Sequence, residues 1–504
     1  MMQQLLLYPL LFQLFLSIFL MFFWKKINAQ KIISIVGGFI AVFLSGVLFY
    51  TVWNSGIQTV QAASWEAPYG ITFVADTLSA TLVLLTSIAG LAVSFFSSAS
   101  VIPARLRFGY FPIYHFLLLG LTGAFLTGDI FNLYVWFEII IISSFVLITL
   151  GGEKAQIEGA VKYFTLNILA SIIFLTAIAV LYGLAGSLNM ADLATIIPQL
   201  ENRKLVEVAA ILFLVGFGIK SAVFPLYFWL PASYHTPPSA VAAIFGGLLT
   251  KVGVYALIRI FSLIFLDDVF LDDILLVIAV LTIFSGAIGS LVQKNVRKIF
   301  SYLIICHIGF MISGLGMGTK IAFAGMVFYL IHDIMVKTNL FMVSGLIYRI
   351  KGTNNVRLLG DLYANFPKLS LLMFIPLLSV IGVPPFSGFW PKVSLIIASL
   401  NEKNYVIMGA IIFGSLLTLI IIARLWSNVF WKKGEDLPKR DHFLYFQKMN
   451  RLKKFQFLAP IILLAGVSLY IGFGAEHMQQ LSNRIASELI DNTQYIEAVM
   501  PQNN

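Results

Sequence analysis

Residues 216–231 read GFGIKSAVFPLYFWLP, an apolar stretch with a single lysine, Lys220, followed by two prolines, Pro225 and Pro231. Its hydrophobicity suits the hydrocarbon core of a bilayer, which about 20 such residues span as a helix. In that setting a proline withdraws a backbone hydrogen bond and leaves carbonyls that only protein or water can satisfy. A lysine at mid-depth costs roughly 2.5–3.5 kcal/mol on insertion scales. Residues 382–392, GVPPFSGFWPK, repeat the pattern, with Pro384, Pro385 and Pro391 ahead of Lys392. Two membrane helices broken by proline, each with a buried lysine, set the reading of the whole chain.

Composition agrees. A length of 504 residues would suggest several soluble domains. Yet 59% of the residues are hydrophobic and 11% charged, and the mean hydropathy is +0.92. A soluble chain carries roughly a quarter charged residues. The expected fold is therefore an all-α polytopic membrane protein. The one cysteine, Cys306, excludes an internal disulfide and a thiolate metal cluster. No dinucleotide fingerprint, P-loop or metal-ligand spacing occurs, so neither cofactor nor metal is expected, and no stand-alone catalytic site. The first apolar run has no basic residue before it, with Lys25 and Lys26 behind it. It is expected to be a span rather than a cleaved signal.

About 14 spans are predicted, here called segments 1 to 14: 4–23, 32–53, 74–97, 109–127, 130–150, 160–183, 206–229, 239–261, 270–292, 299–316, 322–348, 369–397, 405–430 and 457–474. Alternate loops differ in charge. One set holds Lys25, Lys26, Lys31, Arg105, Arg107, Lys154, Lys162, Lys294, Arg297, Lys298, Arg349, Lys351, Arg357 and Lys368, and the run from Lys432 to Lys454 adds eight more basic residues. The other set carries Glu66, Asp267, Asp268, Asp272 and Asp273. Basic loops face the cytoplasm, which places both termini outside and turns the net charge of +10 into a topological signal. No nucleic-acid partner is implied. The basic run 433–456 reads as an ordinary cytoplasmic loop, and Gly472 and Gly474 as a helix terminator.

Outside the loops, four lysines lie deep in segments: Lys220, Lys251, Lys337 and Lys392. With them are Glu138 and Asp333, and the histidines His307 and His332. Intramembrane ionisable groups mark ion pathways and proton relays. Asp333 stands four residues before Lys337, a helical ion-pair spacing. His332 points elsewhere on that helix, toward relay or packing, and His307 reads first as a packed core histidine. Segments 7 and 12 are five apart, and a five-helix unit repeated in tandem inverts its orientation. Interrupted helices in corresponding positions of two halves point to the transport site. Segments 4–8 and 9–13 are read as two inverted repeats, with Lys220 and Lys392 as rough symmetry mates. The whole chain, 1–504, is then one membrane domain. It divides into a three-helix portion at 1–105, repeats at 106–262 and 266–432, the basic loop at 433–456, and a last helix with a short tail at 457–504.

The residues GFGIKSAVFPLYFWLPASYHTPPSAVAAI (216–244), WFEI (136–139), HDIMVK (332–337) and GVPPFSGFWPK (382–392) resemble the antiporter-like subunits shared by respiratory complex I, membrane-bound hydrogenases and Mrp antiporters. The likeness runs from about segment 3 to segment 13. WEAPYGITFVADTLSA (65–80) is similar to the D-subunit branch of the Mrp multisubunit Na+/H+ antiporters. The resemblance implies 14 helices with two inverted five-helix repeats, and proton movement along a hydrated axis. It makes Glu138 and Lys220 a modulating pair, and assigns proton transfer also to Lys251, Lys337 and Lys392. Asp333 departs from the histidine that some relatives carry there, and the ionisable group at Lys392 is glutamate in some members. The implied setting is the cell membrane, with other membrane subunits as partners and H+ and Na+ as the transported ions. A proton-pumping subunit of a redox-driven complex is the alternative; an organic-solute carrier and a structural scaffold fit the serial lysines poorly. A cysteine introduced beside Lys433 should be labelled from the cytoplasmic side only; labelling from outside intact cells would overturn this topology.

Overall fold

The computed structural model describes residues 3–62, 65–265, 269–435 and 444–500. Asp267 and Asp268, and part of the basic loop, lie outside these described residues. The chain is mostly helical, and each of the fourteen segments contains helix. Eleven helices among the described residues are long and apolar enough to cross a membrane. The three segments outside that set have physical reasons to fall short. Segment 4, Tyr110–Leu126, stops early because Asp129 caps the next helix, accepting from the Asn132 backbone N–H at 2.7 Å. Segments 7 and 12 are each interrupted.

The two interruptions share a plan. Segment 7 runs as Arg203–Ser221, then resumes as the short helix Trp229–Ser233. Segment 12 runs as Pro367–Ile381, then Phe389–Asn401. Each first half ends at a left-handed residue, Ala222 (φ 61°) and Gly382 (φ 78°). Pro225, Pro384 and Pro385 lie in the gaps. Pro231 and Pro391 do not: they sit in the first turn of the following half-helix, where no N–H is needed for the helix ladder. The symmetry of Lys220 and Lys392 also needs correction. Lys220 precedes its break and Lys392 follows its own, so both stand at a gap but on opposite sides of it.

Segments 8, 10 and 11 form the centre, their side chains almost wholly inside. Segments 1, 2, 6, 9 and 13 form the rim and turn Phe15, Phe43, Ile172, Val277 and Leu416 outward, the distribution a lipid-facing shell requires. Segments 9 and 10 pack through small residues. A Cβ on Gly286 would stand 2.2 Å from the backbone nitrogen of Cys306, and one on Gly309 2.8 Å from that of Ile283. Backbones approach this closely only where side chains are absent.

One end of the bundle carries structure that hydropathy did not reveal. Strands Gln58–Gln61 and Thr72–Ala75 pair antiparallel, with Gln58 opposite Ala75. Segment 3 therefore begins at Thr77, after Asp76 caps it, and not at residue 74. The expected short tail is two helices, Ala475–Ile490 and Thr493–Val499. Arg484 donates to the carbonyls of Trp53 (2.6 Å) and Val52 (3.2 Å), and Asn492 to that of Ser262 (2.8 Å). These bonds fall on the last turns of segments 2 and 8, where the helix leaves carbonyls unfilled; Val52 O also accepts from the Gly56 backbone N–H at 3.0 Å. Gly472 also exceeds its expected role as a terminator. It lies against the segment 12 break, 2.5 Å from Pro385 O for a hypothetical Cβ, and its carbonyl accepts from Trp390 Nε1 at 2.9 Å.

Overpacking a filled core costs about 1–3 kcal/mol, and more when the obstacle is backbone. Gly286→Val should therefore sharply lower the yield and thermal midpoint of the purified protein. Gly46→Val, whose Cβ meets nothing within 4 Å, should behave as wild type in the same assay.

Candidate functional site

The central helices converge on Asp333. It lies on segment 11 (Lys320–Lys351), a helix whose middle has no face toward lipid or water, and is completely buried. Its Oδ2 is 2.7 Å from Lys251 Nζ of segment 8. Its Oδ1 is 3.1 Å from His307 Nδ1 of segment 10 and 3.9 Å from Lys337 Nζ, one turn along its own helix. The i,i+4 pair with Lys337 is thus the longer contact, and the closer partner comes from another segment. His307 is a member of the cluster and not merely packing, although its ring also meets Phe310 and Tyr329.

Lys251 reaches Asp333 because segment 8 (Ser239–Leu263) contains a π-helical turn at Phe245–Leu249. A π turn lets a carbonyl escape the regular ladder, and Lys251 Nζ donates to Gly246 O at 2.8 Å. Gly247 permits the approach, since a Cβ there would collide with Thr338 of segment 11. With both carboxylate oxygens facing cationic groups, the cluster repels a metal cation and could not hold one.

The segment 12 break meets the same helix. His332 turns away from Asp333, and its Nδ1 lies 2.8 Å from Ser387 Oγ in the gap. Lys392 Nζ donates to the carbonyls of Ile381 (2.8 Å) and Val380 (3.3 Å), the last of the preceding half-helix. A cation at a helix C-terminus is favoured by the helix dipole, so the break itself supplies the lysine's partners. Lys337 Nζ, His307 Nε2, His332 Nε2 and Tyr329 OH are buried and have no hydrogen-bond partner among the described residues.

Lys220 sits at the other break, 3% exposed. It donates to Ser171 Oγ of segment 6 at 3.0 Å and lies 4.6 Å from the Phe137 ring centroid. Glu138, the next residue, makes no ion pair with Lys220 within 4.0 Å, though its charge is near enough for the lysine to feel it. The two are not in direct contact because Glu138 is only partly buried and its helix turns Phe137 toward Lys220. A cavity of about 10 Å³, lined by Tyr163, Asn167, Trp229 and Lys220 among others, has room on the order of one water beside the ammonium. Gly253 joins the two halves of the axis: its Cα packs on Lys220 and Ser221 backbone two residues after Lys251.

One buried pair has no counterpart among the residues expected from the sequence. Arg259, near the end of segment 8, meets the helix-capping Asp76 at 2.5 Å, both 4% exposed, and stacks on Tyr255 and Tyr495. Beside it Glu488 of the tail accepts from Thr77 Oγ1 at 2.6 Å, and burial together with the nearby Asp76 pushes the Glu488 carboxyl above its usual range. Asp76 and Arg259 stand at segment edges, where charge reads as loop; only a contact across 183 residues of chain reveals the pair.

Fold and site together define a multi-pass helical membrane protein with ionisable groups strung across its core. A family model described as NADH:quinone oxidoreductase/Mrp antiporter, transmembrane, matches residues 127–418. The D subunit of the Na+/H+ antiporter from Alkalihalophilus pseudofirmus is 40% identical over 505 residues, covering 99% of this chain and 100% of that protein. A chain of the Mrp complex from Dietzia sp. matches with a TM-score of 0.91 and 26% identity over 99% of both chains. A chain of the membrane-bound sulfane sulfur reductase, an archaeal respiratory membrane complex, matches at 0.87 and 26%, again over 99% of both. The chain belongs to the NADH:quinone oxidoreductase/Mrp antiporter family, among its Mrp D-subunit members.

Removing one partner of a buried ion pair costs about 3–5 kcal/mol, while an apolar replacement of the whole group is close to neutral. Asp333→Ala should accordingly lower the thermal midpoint strongly, and the combination Asp333→Leu, Lys251→Met, Lys337→Met should recover most of it. Unchanged unfolding of Asp333→Ala in detergent would remove the carboxylate as the cluster's anchor.

Proposed function

We propose that this chain is the proton-translocating subunit of a multisubunit Na+/H+ antiporter of the cell membrane. It is a transporter subunit, not an enzyme. The observation that carries the reading is the cluster in which one carboxylate, Asp333, is shared by Lys251, His307 and Lys337 at the centre of the bundle. Four buried lysines stand against two acids along the axis. A row of cationic sites so short of counter-charge holds protons that can move, whereas a structural ion pair would be matched one for one.

In this proposal a proton passes between Lys220, Lys251 and the Lys337 region, and leaves through Lys392, with His332 and Ser387 at the second break. Glu138 tunes Lys220 through space. Buried polar groups without protein partners, such as Lys337 Nζ and His332 Nε2, are ordinarily satisfied by water, which would carry protons between the fixed sites. Segments 4–8 and 9–13 act as inverted repeats around this axis, fourteen spans place both termini outside, and other membrane subunits of the complex supply the sodium path. The second reading is a redox-driven proton pump, favoured by the match to a respiratory membrane complex. The full-length 40% identity to a Na+/H+ antiporter subunit favours antiport.

The test rests on Lys220. A relay must release its proton as well as hold it, and arginine keeps its charge at all physiological pH values. In membrane vesicles containing the assembled complex, Lys220→Arg should abolish sodium-driven proton flux as fully as Lys220→Ala. Glu138→Gln should cut it severely with assembly on native gels unchanged. Near-normal flux in Lys220→Arg would take this lysine out of the proton path.

A further inference from the structure

At the basic end of the bundle lies a cavity of about 440 Å³ that the proton axis does not use. Around it stand Lys31 of segment 2, Arg105 of the loop before segment 4, Arg297 of segment 10, Arg349 of segment 11 and Lys453 of segment 14. Among the described residues the one acid on its wall is Glu153, which is ion-paired with Arg105. Arg105 is close enough to repel both Arg297 and Arg349, and Lys453 to repel Lys31. Arg297 is 7% exposed. Its Nη1 donates to Pro237 O at 2.9 Å and its Nη2 to Ser239 Oγ. Lys31, Arg105, Arg297 and Lys453, held together against their mutual repulsion, are complementary to a polyvalent oxyanion.

A second cavity adjoins the first and shares Ile102, Arg105 and Glu153 with it. Its walls are apolar: Ile102, Phe108, Val146 and Leu150, with Phe108 and Ile102 largely exposed. The pairing of a cationic chamber with an apolar groove matches a molecule that has a phosphate at one end and hydrocarbon at the other.

We propose that the basic cavity binds the phosphate headgroup of an anionic phospholipid, with an acyl chain in the Ile102–Phe108 groove. The bound phosphate ties together the basic ends of the helices that carry Lys31, Arg297 and Lys453, and so fixes the helix that also carries His307. The cytoplasmic leaflet is the anionic one, so the proposal also uses the orientation with the basic loops inside. It does not depend on which ion the complex transports.

The experiment uses the intact complex, delipidated in detergent and titrated with short-chain phosphatidylglycerol, phosphatidylcholine or inorganic phosphate, with thermal midpoint and native mass spectra as readouts. Phosphatidylglycerol should raise the midpoint and remain bound in preference to phosphatidylcholine by about tenfold, a preference of the size that one or two basic contacts supply. The triple variant Lys31→Gln, Arg105→Gln, Lys453→Gln should lose that preference; all three positions are at least partly exposed, and Lys453→Glu alone serves if the triple variant does not assemble. Protection by inorganic phosphate at the same concentrations would keep the anion site but make free phosphate its ligand and remove the groove from the proposal. No protection by either, an equal response in the variants, or cross-linking of the cavity to an acidic segment of another subunit would overturn the proposal.

Discussion

Asp333 shares one carboxylate among two lysines and a histidine, in a helix with no solvent to appeal to. Taking such a charge out of water costs several kcal/mol unless its partners are well placed, and these arrive from three different segments. The central packing follows from that demand. Segment 8 must come close enough for Lys251 to reach across, which the small residue Gly247 allows against Thr338. Segment 10 must turn His307 inward, and its other face is then pressed so closely on segment 9 that Gly286 and Gly309 have no room for side chains.

The remaining lysines are held by backbone that departs from regular helix. A membrane helix normally exhausts its own carbonyls, so an ammonium in the core has nothing to bond unless the ladder is interrupted. Lys251 bonds Gly246 O within the π turn of segment 8, and the break in segment 12 frees Val380 O and Ile381 O for Lys392. Lys220 is the exception: Trp229 Nε1 takes the Ile219 carbonyl at its break, and the lysine turns to Ser171 instead. The two halves of the molecule therefore use similar breaks for different local chemistry, with Lys220 before its gap and Lys392 after its own.

Much of this was legible in the residues. Apolar runs and the alternation of basic loops located helix in all fourteen segments, and the prolines marked both interruptions. The buried lysines were conspicuous because charge is scarce in such a chain. What escaped lacked a local signature. The π turn has no composition of its own, and Asp76 and Arg259 sat where charge reads as loop. The tail helix Ala475–Ile490 was passed over because its apolar residues, Leu481, Ile485 and Leu489, are too few and too dispersed for a hydropathy window. The hairpin before segment 3 was merged into a span because Thr72–Ala75 is nearly as apolar as the helix it precedes.

The amino-acid sequence by itself determined that this chain lives in a membrane, where its fourteen apolar segments lie, which of them break, and that four lysines are taken inside. Those properties follow from the transfer energy of each residue and from the missing N–H of proline, which are local quantities. Only the tertiary structure decided who faces whom. It made Lys251 the close partner of Asp333, left Glu138 out of direct contact with Lys220, and set His332 against the second break. A buried charge is satisfied by atoms three to four ångströms away regardless of their separation along the chain, and no local pattern encodes that distance.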